Sequence, residues 1–373
     1  MTTEQVLPNA QPLDVDAEPS ADPAGGPRHT WAIAWGWWLR PMGQFFVSLA
    51  AVIVVAFLLV KLIPGDPVVI ATNGRVSGEE LEAARSNLGL DDPWLVQFGN
   101  YIGQLVQFNL GTSISTGRPI LPELATRVPA TLELVLAGLF FAIIATVFLS
   151  YLVVSRPTWL VSRSLRTYAR SAGAIPEYVV GIAFLFVFYA VLRWAPAPSG
   201  RLDPLLTSPP FVTGFPVLDA LIVGDTPAAA SYMEHLVLPV FVMVVAHTAL
   251  LMKSLVLSLD DAVDDPATRF RIASGARRSL VVASIFRRAA PPAIAMLGMV
   301  FGVLLGGAVV LESLFGLGGL GQFAVDAVNS SDVYALRSFL IVAAAICLFV
   351  YMLADILTMV VDPRRRARRN GAH

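Results

Sequence analysis

Six stretches of the chain are apolar for long enough to cross a bilayer, and polar, arginine-bearing intervals separate them. A spanning helix needs about 20 mostly apolar residues. The pattern predicts spans at 42–63, 130–154, 172–192, 236–257, 291–312 and 334–361. The first is too long and lies too far along the chain for a cleavable signal segment, and no small-residue cleavage site follows it. The reading is an all-α membrane protein of six transmembrane helices.

The intervals carry their own patterns. Interval 64–128 is too long for a plain connector. Within it, helical spacing predicts a helix at 77–88, with Ser77 as N-cap, Glu80 three residues on as the other half of a capping box, and Gly89 as the stop. Interval 195–231 is punctuated by proline from Pro196 to Pro227 and reads as an irregular loop. In 258–290, Asp264 and Asp265 precede Pro266, an acidic cap before a proline at the first helical position. A short helix at 266–274 should end at Gly275 in the left-handed conformation. A second, basic helix should occupy 278–290, with Pro291 and Pro292 opening the fifth span. The result is a helix–Gly–helix elbow. Its short helix is marginal alone in water and would be stabilised by docking.

Charge orients the spans. One set of loops holds Arg156, Arg163, Arg166 and Arg170, then six arginines from Arg269 to Arg288, then five from Arg364 to Arg369. The opposite loops hold Arg75, Arg85, Arg118, Arg127 and Arg201. Positively charged loops stay in the cytoplasm, which puts both termini and the elbow there. Residues 1–30 are acidic and Pro-rich, a disordered cytoplasmic tail. Residues 31–41, with four tryptophans, read as an interfacial segment. The membrane domain is then 42–363, and 364–373 is a basic cytoplasmic tail.

Composition narrows the chemistry. The chain is 56% hydrophobic and 14% charged, with a net charge of −1. Soluble chains carry about 25% charge, so the lipid bilayer is the solvent, and no basic field draws nucleic acid. With one cysteine, Cys347, no disulfide or cysteine-based metal site forms within one chain. The two lysines, Lys61 and Lys253, follow no Gly-rich turn, so no phosphate loop exists for ATP. Zinc-hydrolase and serine-nucleophile motifs are absent too, leaving no catalytic or metal residues to name. Ionisable residues inside spans are costly and are functional candidates. They are Glu133, Glu177, His247, Lys253, Glu312 and Asp355. Most lie near span ends and also suit an anchoring role, while His247 is the deepest. Candidates for a pathway or gate are His247, Glu312 and Glu177.

Ordered motifs then give a family resemblance. They are Leu62-Ile63-Pro64-Gly65-Asp66-Pro67; Asn87-Leu88-Gly89-Leu90-Asp91-Asp92-Pro93 with Gln97; Leu110-Gly111-Thr112-Ser113; Thr116-Gly117-Arg118-Pro119; Arg127 to Leu134; Glu312-Ser313-Leu314-Phe315 with Gly318-Gly319-Leu320-Gly321; and Asp362-Pro363-Arg364. Together they resemble the permease subunits of ATP-binding-cassette importers of the dipeptide/oligopeptide/nickel class, over roughly 42–366. The resemblance implies the type I importer permease fold, with a long extracytoplasmic loop after helix 1. It implies coupling to an ATPase subunit through the elbow at Asp265, Arg269, Ala273, Gly275, Arg287 and Pro292, although Arg271, Ile272 and Ser274 differ from the family's usual residues. It further implies a second homologous permease in a heterodimer, an extracytoplasmic solute-binding protein, and a bacterial cytoplasmic membrane location. ATP and Mg would lie on partner subunits, with no cofactor in this chain and di- or oligopeptides as cargo. A stand-alone secondary transporter or channel is the alternative; the inverted repeat or broken midplane helices it would need are not visible in the sequence.

Overall fold

A computed structural model describes residues 38–62, 68–69, 74, 77–87, 89–171 and 173–361. The expected tails, 1–30 and 364–373, and the motif residues 63–67 lie outside the described residues. Among the described residues the regular structure is helical: α1 (Leu39–Leu62), α2 (Glu79–Asn87), α3 (Trp94–Val106), α4 (Ile120–Ser155), α5 (Leu160–Arg170), α6 (Glu177–Phe184) with a π-helical continuation Leu185–Val191, α7 (Pro216–Val223), α8 (Thr226–Asp264), α9 (Pro266–Ala273), α10 (Arg278–Phe315), α11 (Leu320–Asn329) and α12 (Val333–Val361). The chain therefore has the all-α architecture the apolar pattern predicts.

Among the described residues, five helices, α1, α4, α8, α10 and α12, are long and apolar enough to span a membrane. The 39 residues of α8 reach roughly 58 Å at 1.5 Å per residue, well beyond the ~30 Å of hydrocarbon. The bundle is built around α8, which packs chiefly against α4 and α10. Its core joins Leu134, Val135 and Ala142 of α4, Met243 and Leu251 of α8, and Phe301, Leu304 and Leu311 of α10. Small residues set the spacing, as they do between membrane helices. A Cβ on Gly138 would come within 2.8 Å of Met243 Sδ, and one on Gly298 within 2.8 Å of Tyr351.

Four expectations need correction. The predicted third span, 172–192, is not a single helix starting at 172. Its helical part starts at Glu177, eight α-helical residues followed by seven π-helical ones, roughly 22 Å at helical rise. Proline at 176 fixes that start, since it disfavours helix at the residue before it. The predicted boundary at Pro291 is absent: α10 runs unbroken through Pro291 and Pro292. The two prolines remove the donors to the carbonyls of Arg287 and Arg288, but their φ is helical and flanking helices hold the segment. The predicted irregular loop 195–231 contains α7, ended by Gly224 at φ 80°, and then the first turn of α8 capped by Asp225. Finally, α2 begins at Glu79, and the Gly78 carbonyl, not a Ser77 cap, meets its first amides, those of Leu81 and Glu82.

Candidate functional site

The elbow is the first candidate. α8 ends at Asp264, and Asp265 turns the chain at φ −60°, ψ 135°. Its Oδ1 accepts the Ala267 amide at 2.7 Å, which caps α9. The same oxygen lies 3.3 Å from Arg288 Nη1 on α10. Arg288 Nη2 donates to the Thr268 hydroxyl and, at 3.4 Å, to the Ala262 carbonyl. Thr268 is buried and donates to that carbonyl at 2.6 Å. One guanidinium thus fastens α9 to the ends of α8 and α10. At the other end Gly275 sits at φ 74°, and the Ala276 amide returns to the Arg271 carbonyl at 3.1 Å. Below the turn, Leu255, Leu259 and Ala262 of α8 zip against Val281, Ile285 and Ala289 of α10.

Of the elbow residues chosen from sequence, Asp265 and Gly275 hold its geometry. Arg269 makes only an exposed 4.0 Å pair with Asp264. Ala273 and Arg287 are exposed, and Pro292 lies inside α10. Sequence reasoning missed Thr268 and Arg288; Arg288 differs from its neighbour Arg287 only by the helix face it occupies. α9 leaves Phe270 73% and Ile272 61% exposed, alternating with the exposed Arg269 and Arg271.

The second candidate lies at the other end of the bundle. Glu312, fully buried, accepts from Thr131 Oγ1 at 2.5 Å and from the Gly321 amide at 2.7 Å. Thr131 Oγ1 in turn accepts the Leu320 amide at 2.7 Å. Arg201 enters from the loop before α7. Its Nε donates to the Leu317 carbonyl at 2.5 Å, and its terminal nitrogens lie 3.9 Å from Glu133 and from Glu312. Burial pushes the Arg201 guanidinium below its usual range against the pull of both carboxylates. Glu312 is thus a structural tether of the 316–321 turn. Thr131 and Arg201 complete it; Thr131 falls within the motif from Arg127 to Leu134, and Arg201 is visible in the sequence only as a loop arginine.

The third candidate is in the middle. His247 Nδ1 donates to the Met243 carbonyl at 2.9 Å, which leaves Nε2 facing Glu177 Oε2 at 3.9 Å. Gly307 makes room for the carboxyl: a Cβ there would overlap Glu177 Oε2. The structure therefore brings Glu177 and His247 together and holds Glu312 apart. Among the described residues no three His, Cys, Asp or Glu side chains converge as a metal site requires.

The remaining motifs resolve into contacts. Gln97 Nε2 donates to the carbonyls of Leu90 and Asp92, and its Oε1 accepts from Lys61 at the end of α1. Asp332 accepts from Ser113 and Ser115, and also from the Ala335 amide at the start of α12.

Comparison with known proteins places these contacts in context. Residues 138–367 match the family described as binding-protein-dependent transport system inner membrane component, and residues 37–135 match the N-terminal region of such membrane components. The chain is 34% identical over 318 residues to a probable D,D-dipeptide transport system permease protein, DdpB, of Escherichia coli (strain K12), covering 85% of this chain and 93% of that one. It is 30% identical over 332 residues to the di/tripeptide transport system permease protein DppB of Pseudomonas aeruginosa (strain UCBPP-PA14), covering 88% and 98%. A putative peptide permease protein of Brucella suis biovar 1 (strain 1330) is 31% identical over 320 residues, covering 85% and 94%.

Proposed function

The chain belongs to the binding-protein-dependent transport system inner membrane component family, and from that premise we propose that it carries di- or oligopeptides inward as one of two permease subunits of an ATP-driven importer. Members of this family are non-catalytic, multi-pass membrane components of transporters that also contain an ATPase and a substrate-binding protein. In this reading the second permease is a homologous partner. ATP and Mg reside on the ATPase, and the solute-binding protein delivers cargo from outside a bacterial cytoplasmic membrane. Both termini and the elbow face the cytoplasm. The peptide cargo follows from the relatives, which are named as dipeptide, di/tripeptide and peptide permeases.

The observation that carries the reading is the elbow. α9 is fastened at Asp265, Thr268 and Arg288 to the ends of two spanning helices, yet it turns Phe270 and Ile272 outward. A short, rigidly mounted helix with exposed apolar tips suits a lever that docks in a partner's cleft and transmits its movement to α8 and α10. Asp265, Gly275 and the added pair Thr268 and Arg288 would set the lever's angle; Arg269, Ala273 and Arg287 would lie on its contact surface.

The test is co-purification of the ATPase with a tagged permease. Phe270→Asp should cut the recovered ATPase at least tenfold while the permease stays at its normal level in the membrane. Full recovery sinks the docking role. Cysteines introduced at Ser77 and Thr207 should react with an impermeant reagent from outside intact cells, and one at Ala276 should not. Uptake by the isolated chain driven by a proton gradient would replace this reading with a stand-alone carrier.

A further inference from the structure

α3 carries three stripes of side chains, about 120° apart at 100° per residue. Phe98, Tyr101 and Leu105 form the stripe that packs on the bundle, with Ala56 and Phe57 of α1 and Ile341 of α12. The rings of Phe98 and Tyr101 lie 5.1 and 5.9 Å from that of Phe57, and the Arg337 guanidinium of α12 lies 4.0 Å over the Tyr101 ring. Asn100 and Gln104, with Gln107 at the C-cap, form an exposed polar stripe. Leu95, Gly99, Ile102 and Val106 form the third, at the i, i+4, i+7 and i+11 positions of one helix side. That stripe is apolar throughout, yet only Ile102 is half-buried, and Val106 is 75% exposed. A helix resting on protein with water around it needs one apolar stripe. α3 has two, and the second requires a phase that is neither its own bundle nor water.

The packing contacts give the level at which α3 lies. Phe57 is five residues before the end of α1 and Ile341 eight residues after the start of α12, roughly 8 and 12 Å along those helices. α3 therefore lies beside the end turns of two spanning helices, not beyond them. This is the end of the bundle opposite the elbow, where α10 finishes and α12 starts. At the same level α1 leaves Val54, Val55, Leu58 and Leu59 exposed, side chains suited to lipid tails. Charge separates α3 from its neighbour in the same interval: α2 has four charged residues in nine, and α3 has none in thirteen. Trp94 opens α3 and Phe108 follows its C-cap, both exposed, like the aromatic rings that gather at headgroup level. Phe108 holds φ 56°, a left-handed position after a helix that glycine or asparagine usually fills.

From this we infer that α3 is an interfacial helix whose partner is the lipid surface. Leu95, Gly99, Ile102 and Val106 lie in the boundary between headgroups and acyl chains of the leaflet opposite the elbow, and Asn100, Gln104 and Gln107 face water. Helices of this kind bury their apolar face about 5–10 Å into that boundary, which agrees with the level set by Phe57 and Ile341. Lys61 at the end of α1 donates to Gln97 and ties the start of α3 to the bundle. The interval 64–128 thus has one helix laid on the membrane, α3, and one made for water, α2. The inference holds whatever the cargo of the transporter.

Spin labelling of the full transporter, reconstituted in vesicles of phosphatidylethanolamine and phosphatidylglycerol, tests it. In a Cys347→Ala background, single nitroxide-labelled cysteines replace Leu95 or Val106 on the apolar stripe and Asn100 or Gln104 on the polar one. Two positions on each stripe preserve the comparison if one label disturbs folding. The exposed Ala83 of α2 is the water reference and the exposed Val55 of α1 the lipid reference. Collision with oxygen, which concentrates in lipid, is compared with collision with a water-soluble nickel chelate. The ratio of oxygen to nickel collisions at Leu95 and Val106 should exceed that at Asn100 and Gln104 at least fivefold and approach the Val55 value. Ratios at all four positions equal to that of Ala83 place α3 in water and overturn the inference. Few collisions with either reagent at Leu95 and Val106 mean that a partner protein covers the stripe, and overturn it too. All four matching Val55 would put the polar stripe in lipid as well and end the interfacial assignment.

Discussion

Thr131 donates its hydroxyl hydrogen to Glu312 at 2.5 Å and accepts the Leu320 amide at 2.7 Å, so one small side chain joins α4, α10 and the turn before α11. The turn can wrap the carboxylate only because residue 319 is glycine. A Cβ there would overlap Glu312 Oε1 and lie 2.5 Å from Thr131 Oγ1. Gly319 has φ −87°, which any residue adopts, so the constraint is steric. Gly318 has φ 64° and open space around it, so its constraint is conformational, about 1–2 kcal/mol. Gly319→Ala should therefore lower the melting temperature of the purified transporter by more than Gly318→Ala does. Removing the carboxylate by Glu312→Ala should cost about 3–5 kcal/mol, because Arg201 then loses a buried counter-charge. Equal melting temperatures for the two glycine variants would refute the wrapping geometry.

The elbow makes an ordering prediction between adjacent arginines. Arg288 meets Asp265, Thr268 and Ala262, whereas Arg287 points to solvent. Arg288→Ala should lower coupled uptake per ATP hydrolysed several-fold through the lever's angle, whereas Arg287→Ala, which removes one exposed charge at the rim of the contact surface, should change it less. Arg288→Lys should rescue only part, since an ammonium cannot reproduce the guanidinium's fork. At Gly275 no described atom lies within 4 Å of where an added methyl group would sit, so Gly275→Ala tests the left-handed turn alone. It should weaken coupling by about the 1–2 kcal/mol that the turn costs a residue with Cβ. Uptake assays against hydrolysis in reconstituted vesicles read both.

These cases show what the sequence made legible. The apolar runs placed α1, α4, α8, α10 and α12 to within a turn or a few, because a helix in lipid must be apolar wherever it meets the tails. The same runs could not reveal where helices continue beyond their apolar stretches, so α8 reaches past 257 and α10 begins before 291, and the two extensions pack as one pair. The elbow's Asp-Pro start and Gly275 stop were readable from local capping chemistry. Arg288 was not: the helix start at 278 was readable, but which of its faces turns toward Asp265 and Thr268 is set by packing that the local sequence does not record, and the double proline only suggested a break at 291 that α10 lacks. Arg201 is the clearest omission. A loop arginine carries no periodicity, and only the folded chain brings it to carboxylates 68 and 111 residues away in sequence. The third span failed for a related reason: composition measures apolarity and does not see a break.

Asp219 gives the loop before α7 a pH dependence. Its carboxylate accepts the amides of Val212, Thr213 and Gly214 and the Thr213 hydroxyl, at 2.6 to 3.2 Å. Burial pushes its pKa up, but these bonds outweigh it and hold it below the usual range. A depressed folded value means that the stabilisation is present above the unfolded pKa of about 3.9 and is lost as pH falls through the folded value. Hydrogen-exchange protection at residues 212–214 should therefore be flat from pH 7 to about pH 5 and collapse only below about pH 4. Asp219→Asn should lose about 2 kcal/mol of that protection, roughly thirtyfold in exchange rate, at neutral pH, a difference that disappears below about pH 4 where the wild-type carboxyl is itself protonated. Protection that already declines between pH 7 and 5 would contradict the assignment.

Asp332 carries the last prediction, because its two oxygens do separate jobs. Oδ1 accepts the Ala335 amide at 2.9 Å and caps α12. Oδ2 accepts the Ser113 hydroxyl at 2.5 Å and the Ser115 hydroxyl at 3.0 Å, which anchors the hairpin closed by Thr112 and Pro119. Losing a cap costs about 0.5–2 kcal/mol. Losing bonds to a buried carboxylate costs about 1.5–3 kcal/mol. Asp332→Ala should therefore destabilise more than Ser113→Ala, which keeps the cap. The two changes share one bond, so the double variant should fall short of their sum by about 1–2 kcal/mol. Exchange at the two elements separates the jobs: Ser113→Ala should expose only the 112–119 hairpin, whereas Asp332→Ala should also fray the first turn of α12. Strict additivity between Ser113 and Asp332, measured in the same detergent, would show that the hairpin is held by something other than this carboxylate.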